Sequence, residues 1–168
     1  MDLTGDNYYQ AALQRMTDAQ RMFGSRTISD SQVMYCTGLA AECMLRAFVW
    51  LRDREFDGRH DLGKLLAKSR MRQLFEGRIE AKPSHTSQIL KRIADLSAAV
   101  NQIVVLWSNN FRFAADPILR RHFNRRGMYR VVRGDLLREL SRRLLAAALE
   151  VVNQGVFLWT FARKLSGH

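Results

Sequence analysis

The feature that most constrains the fold of this chain is a helix-length segment, residues 33–51, that is apolar on almost every side. Apolar or small residues recur there at the three- and four-residue spacing of a helix, at Val33, Cys36, Ala40, Met44, Ala47, Phe48 and Leu51. Leu39, Leu45, Val49 and Trp50 occupy the remaining faces. Since a helix that is apolar all round is buried on several sides, the sequence predicts that this helix lies at the centre of the fold.

A single acidic residue, Glu42, interrupts this segment. A buried carboxylate is costly unless a cation compensates for its charge. Arg46 lies one helical turn further on, where its side chain can reach Glu42, and Arg112 is a second candidate partner. The sequence therefore predicts that Glu42 is buried and paired with one of these two arginines.

The rest of the chain also has helical periodicity, without a convincing alternating pattern of strands. We expect helices at residues 7–23, 30–54, 61–75, 85–108 and 135–164, with a short helix at 117–123. The turn signal Asp57-Gly58 separates the second helix from the third, and Asp61 is suited to cap the third. Short connections between long amphipathic helices favour antiparallel packing. The fold class predicted is all-α, an antiparallel up-and-down bundle of four to five long helices, in a single domain of residues 1–168.

The net charge of +11 is concentrated in the last third of the chain. Residues 120–168 hold 11 basic and 3 acidic residues, and arginines outnumber lysines 22 to 5 overall. Arginine suits phosphate because its guanidinium binds in a bidentate manner and stacks on bases. An acidic partner, with RNA or another nucleic acid first, is one interpretation. A basic soluble protein without such a partner is the other.

The densest basic run is interleaved with Phe123 and Tyr129, a pattern typical of proteins that bind single-stranded nucleic acid. Its members are Arg120, Arg121, Arg125, Arg126, Arg130 and Arg133. We expect these arginines to contact RNA, while a solvated basic loop is the alternative. No apolar run approaches the length needed to cross a membrane and no signal peptide is visible, so a cytoplasmic location without membrane contact is expected.

Three segments resemble the HEPN domains of prokaryotes, of the kind found with minimal nucleotidyltransferases. The first segment, GLAAECMLRAF at residues 38–48, matches the A-x-E-x-x-L-x-A pattern of one helix of the family. The second, RHDLGKLL at 59–66, matches the HDL-x-x-L start of the next family helix. The third, LWSNNFRFA at 106–114, is similar to a tryptophan and arginine segment that follows later in the family. The resemblance implies a helical bundle, a homodimer, and a possible cognate nucleotidyltransferase-type protein as partner.

Active HEPN ribonucleases resemble one another in an Arg followed, after four to six residues, by a His, and they cut RNA without a metal. That spacing occurs here at Arg54–His60, Arg78–His85 and Arg163–His168. By position, the nearest counterpart of the family motif is Arg112 with His122, which are separated by nine residues. Two catalytic pairs are therefore candidates, Arg112 with His122 and Arg54 with His60. For His60 the alternative is a structural residue of the turn before Asp61.

Trp107, Asn109 and Arg112 form a polar and aromatic cluster at the end of the fourth long helix. The cluster is either a pocket for phosphate or base or the edge of the core. No metal site and no cofactor are expected, because the histidines and acids lack ligand-like spacing. Three functions follow: an accessory HEPN-like module that binds RNA or a protein with degenerate catalysis, an active HEPN ribonuclease acting as a toxin or defence effector, or a helical scaffold. Whether the chain is an enzyme is left open.

Overall fold

A computed structural model describes residues 3–25, 27–54, 60–79 and 83–166 of the chain, and throughout these ranges the regular structure is helical. The helices are α1 (Gly5–Gly24), α2 (Asp30–Trp50), α3 (Leu62–Ser69), α4 (Met71–Ile79), α5 (Pro83–Leu106), α6 (Asp116–Arg125) and α7 (Leu136–Ser166). Two short 3-10 helices lie at Asn109–Phe113 and Met128–Arg130. The all-α prediction is confirmed. Four of the helices are 20 residues or longer, while the antiparallel order stays a prediction.

Polar residues define where several of these helices begin. Thr4, Ser29, Asp61 and Asp135 each accept a hydrogen bond from the backbone N–H three residues further on. Each bond satisfies one of the backbone donors that a first helical turn leaves unpaired. The predicted capping role of Asp61 is confirmed, and the predicted turn at 57–58 lies outside the described residues.

The helix predicted at residues 61–75 is interrupted, so that prediction is wrong in its extent. Arg70 adopts a left-handed conformation, with φ of 40°, and separates α3 from α4. The hydroxyl of Ser69 donates to the carbonyl of Leu66 at 2.6 Å, which satisfies a helix-end acceptor. Leu65 of α3 and Phe75 of α4, on either side of the break, are both completely buried.

Helix α2 lies at the centre of the structure, as its apolar surface predicts. It packs against α1, α3, α6, α7 and the first 3-10 helix. Its approach to α7 is close, because a methyl group built on Gly155 would lie 2.5 Å from Cγ of Met44. Phe48 of α2 also meets Trp159 of α7 edge-to-face, with ring centroids 5.6 Å apart.

Phe157, Trp159 and Phe161 of α7 lie outside the main apolar stripe of that helix, so the sequence predicts that they form an exposed dimer surface. In the structure they pack within the chain instead, with Trp159 buried and Phe157 and Phe161 partly buried against the core. Trp159 is 3% exposed and stacks on Tyr9. Phe161 packs against Phe75 and Phe157. Among the described residues, large apolar side chains are instead exposed at Leu3, Leu51, Val104, Val105, Phe113, Ile118, Tyr129 and Val131. The homodimer stays a prediction that the α7 aromatics no longer support.

Two helices have the length and composition of a membrane span, contrary to the expectation that no apolar run approaches that length. They are Asp30–Trp50 and Leu136–Arg163. Core helices of bundles pass the same test, and 67% of the most apolar window of the first and 44% of that of the second is buried within the chain. The expected absence of membrane contact and the cytoplasmic location stay predictions.

Candidate functional site

The carboxylate of Glu42 is buried and holds two side chains in place. Glu42 is 3% exposed. It accepts a hydrogen bond from Nε of Arg46 at 2.8 Å, and Nδ1 of His60 lies 2.9 Å from both of its oxygens. The predicted pairing of Glu42 is confirmed with Arg46 as the partner. Arg112 instead places its guanidinium over the ring of Phe113, 4.5 Å from the centroid.

His60 links this cluster to a pocket of about 310 Å³ between the start of α3 and the end of α5. The pocket is lined by His60, Asp61, Leu62, Val104, Trp107, Ser108, Asn109 and Asn110. The pKa of Asp61 is lowered, mainly because its carboxylate accepts the backbone N–H of Lys64. The structure thus brings His60 together with Trp107 and Asn109, which the sequence had singled out as part of a separate cluster.

The chain forms this pocket because α5 ends at Leu106 and a tight 3-10 helix follows. Ser108 caps that helix by accepting the backbone N–H of Asn110, and Phe111 anchors it in the core. Trp107 lies directly against α2, where a methyl group on Gly38 would be only 2.0 Å from its Nε1. The pocket wall is therefore fixed by backbone approach on one side and by an apolar anchor on the other.

Neither predicted catalytic pair is joined by a hydrogen bond within the described part of the chain. Arg54 stacks over Trp50 at 4.8 Å, while His60 bonds to Glu42. His122 is exposed and packs edge-on against Phe111 and Phe123. The side chains of Arg78 and His85, and the whole of His168, lie outside the described residues.

The arginines of residues 120–133 differ in how far the fold uses them. Arg120 pairs with Asp135 at 2.9 Å, and Arg126 donates to the carbonyl of Val105. Arg130 donates to the hydroxyl of Tyr129. The remaining three are exposed and make no hydrogen bond or ion pair to any residue that the structure describes: Arg121, Arg125 and Arg133.

The arginines at the start of α7 are structural. Arg138 bonds to Asp30 and to the carbonyl of Phe23 and covers the Phe23 ring at 3.6 Å. Arg142 and Arg143 both donate to Glu139, and these two bonds lower the pKa of Glu139 to about 2. Fewer arginines are therefore available to an acidic partner than the count of basic residues in 120–168 indicates.

Ser108, Asn110 and Val104 line the pocket although the sequence gave no reason to select them individually. The run WSNN directly after a long helix was the available signal. Within the described residues, no group of three or more His, Cys, Asp or Glu side chains is arranged to hold a metal ion. Cys36 and Cys43 are partly buried, and this burial raises the pKa of both thiols.

Comparison of the chain with protein-family models, with curated proteins and with solved structures finds no match. The resemblance to HEPN domains therefore depends on the three sequence segments that carry it.

Proposed function

We propose that the chain is an accessory HEPN-like module, an antiparallel helical bundle that binds single-stranded RNA. The observation that carries the proposal is the set of exposed arginines without a protein partner in the described structure, Arg121, Arg125 and Arg133. Cations that serve no ion pair within the fold are available to phosphate. Arginine forms bidentate bonds to phosphate oxygens.

Exposed aromatic rings near these arginines in the sequence support RNA over a generic acidic partner. Phe113 is 75% exposed and Tyr129 is 54% exposed, and each ring lies beneath an arginine guanidinium. Bases of a single strand stack on such rings while the backbone follows the cations. An acidic protein surface would have no comparable use for the two rings.

The proposal is tested by the salt dependence of RNA binding, measured by fluorescence anisotropy on a labelled single-stranded RNA. Each phosphate contact contributes roughly 0.7 to the slope of log K against log salt. We expect the triple variant R121A/R125A/R133A to lower the slope by about 2. Its stability should hardly change, because exposed charges contribute little.

A matched triple variant, R21A/R52A/R72A, removes the same charge from three exposed arginines elsewhere in the chain. This control variant should keep the wild-type slope of log K against log salt if the RNA contacts are confined to residues 121–133. Equal losses in both triple variants would indicate only a diffuse attraction to the net charge, and wild-type protein that fails to bind RNA would refute the proposal.

An active, metal-independent ribonuclease is the second candidate, favoured by the bond between His60 Nδ1 and Glu42. That bond fixes the imidazole and leaves Nε2 available for proton transfer. The same RNA, incubated without metal and run on a denaturing gel, separates the two functions. An accessory module leaves the RNA intact, whereas fragments that disappear with H60A but persist with H122A would establish the enzyme.

A further inference from the structure

Two residues that line the pocket between α3 and α5 have a buried polar atom without a hydrogen-bond partner in the described structure: the acceptor Oδ1 of Asn109 and the donor Nε1 of Trp107, which lies against Gly38 of α2. Oδ1 of Asn109 is buried and has no hydrogen-bond partner within the described part of the chain. Such a buried, unpaired acceptor is uncommon, because its desolvation is not compensated. A ligand with an N–H group directed at Asn109 would supply the missing bond.

His60 adds a second acceptor to the same pocket. Its Nδ1 faces both oxygens of Glu42 at 2.9 Å, and a carboxylate only accepts hydrogen bonds. Nδ1 therefore carries a hydrogen, and in the tautomer with this single ring hydrogen Nε2 is an acceptor. The side chain of His60 is 45% exposed, which leaves this nitrogen accessible.

The acidic residue of the pocket, Asp61, bears on which part of an RNA strand fits. The Asp61 carboxylate accepts the backbone N–H of Lys64, which lowers its pKa, and the exposed ammonium of Lys64, 3.5 Å away, offsets its charge only in part. A phosphate group would be repelled there. A base that carries N–H donors is not repelled, and 310 Å³ lies at the lower end of the volumes of small-molecule sites.

One arginine of residues 120–133 contacts the helix end that lines the pocket. Val104 lines it, and the carbonyl of the next residue, Val105, accepts a hydrogen bond from Arg126 at 2.9 Å. A strand bound by this run of arginines can therefore continue along the end of α5 toward the pocket.

We propose that this pocket takes one unstacked base of the bound strand and selects bases with an exocyclic amino group, which can donate to Asn109 and His60. The inference rests on the proposed RNA binding and adds base selectivity to it. Cytosine and uracil provide the sharpest comparison, because they share the ring and the backbone but only cytosine carries the amino group.

The experiment compares oligocytidylate with oligouridylate of the same length by fluorescence anisotropy. Wild-type protein should bind the cytidylate about tenfold more tightly, the effect of one well-formed polar contact to a base. N109L removes the acceptor at similar size and should abolish this preference, whereas N109D keeps an acceptor and should retain it. N101L, the same substitution at an exposed position of α5 outside the pocket, should behave as wild type.

A thermal melt of each variant separates binding from folding. Because Asn109 Oδ1 is unpaired, N109L should melt no lower than wild type, and a large fall would mean that Asn109 is structural and overturn the inference. Equal binding of the two oligonucleotides by wild-type protein would also overturn it. In that case an arginine-dependent salt slope on oligouridylate would still support the proposed function, whereas no binding of either strand would refute both.

Discussion

The buried carboxylate of Glu42 provides the most direct test of how the core is held together. Replacement of Glu42 by glutamine keeps its size but removes the charge that faces Arg46, whose side chain is 14% exposed. Removing one member of a buried ion pair costs roughly 3–5 kcal/mol. We expect the lower end, about 3 kcal/mol, because glutamine retains one acceptor and Arg46 keeps some contact with water.

The assay is urea and thermal unfolding of E42Q against wild type. For a chain of this size each kcal/mol lowers Tm by about 2–4 °C, so the expected fall is roughly 6–12 °C. H60A should cost less, about 1 kcal/mol, because His60 is much more exposed than Arg46.

A double-mutant cycle shows whether the cost belongs to the pair. R46M removes the guanidinium and keeps an apolar side chain, so E42Q/R46M leaves no uncompensated charge. The double variant should be more stable than the sum of the single losses predicts, by at least about 1 kcal/mol. If the unfolding free energy of E42Q lies within about 0.5 kcal/mol of the wild-type value, or if the losses of the two single variants simply add, the Glu42–Arg46 pair does not stabilise the core as proposed.

Two further predictions concern packing and helix capping. G38A should lower the free energy of unfolding by about 2 kcal/mol or more, because the added methyl would overlap the indole of Trp107. G24A is the control, since nothing lies within 4 Å of a methyl group at that position. Equal stability of the two variants in urea would contradict the close approach of Trp107 to α2. The pKa of Asp135 is lowered, first by the backbone N–H of Arg138 and then by Arg120. The charged carboxylate therefore stabilises the fold at pH values above the unfolded pKa near 3.8. This contribution is lost as the pH falls through the lower pKa of the folded state. D135N should therefore be less stable than wild type at pH 7, and the difference in unfolding free energy should shrink below about pH 4; a difference that is constant with pH would contradict it.

The helices could be predicted from sequence because apolar periodicity is a local signal. The apolar surface of α2 predicted its central place, and Asp61 predicted the start of α3. The break at Arg70 could not be predicted in this way, since neither a glycine nor a proline marks it. The aromatic residues of α7 were misassigned because the residues that cover them lie far away in the sequence.

The contacts of the candidate site could likewise be predicted only in part from the sequence. Glu42 and Arg46 lie one helical turn apart, so their pairing could be predicted. The contact between Glu42 and His60 depends on how the chain returns after α2, which no local pattern encodes. Charge counting located the basic surface but could not show that Arg138, Arg142 and Arg143 are engaged with Asp30 and Glu139.

The close approach of α2 and α7 has a consequence for the chain as it is synthesised. Met44 and Phe48 meet Gly155 and Trp159, which follow them by about 110 residues, so this face of α2 has no cover until α7 has left the ribosome. At translation rates of roughly 5–20 residues per second, an apolar helix surface stays open to water for about 5–20 s. During that interval the nascent protein presents the kind of surface that chaperones bind and that promotes aggregation.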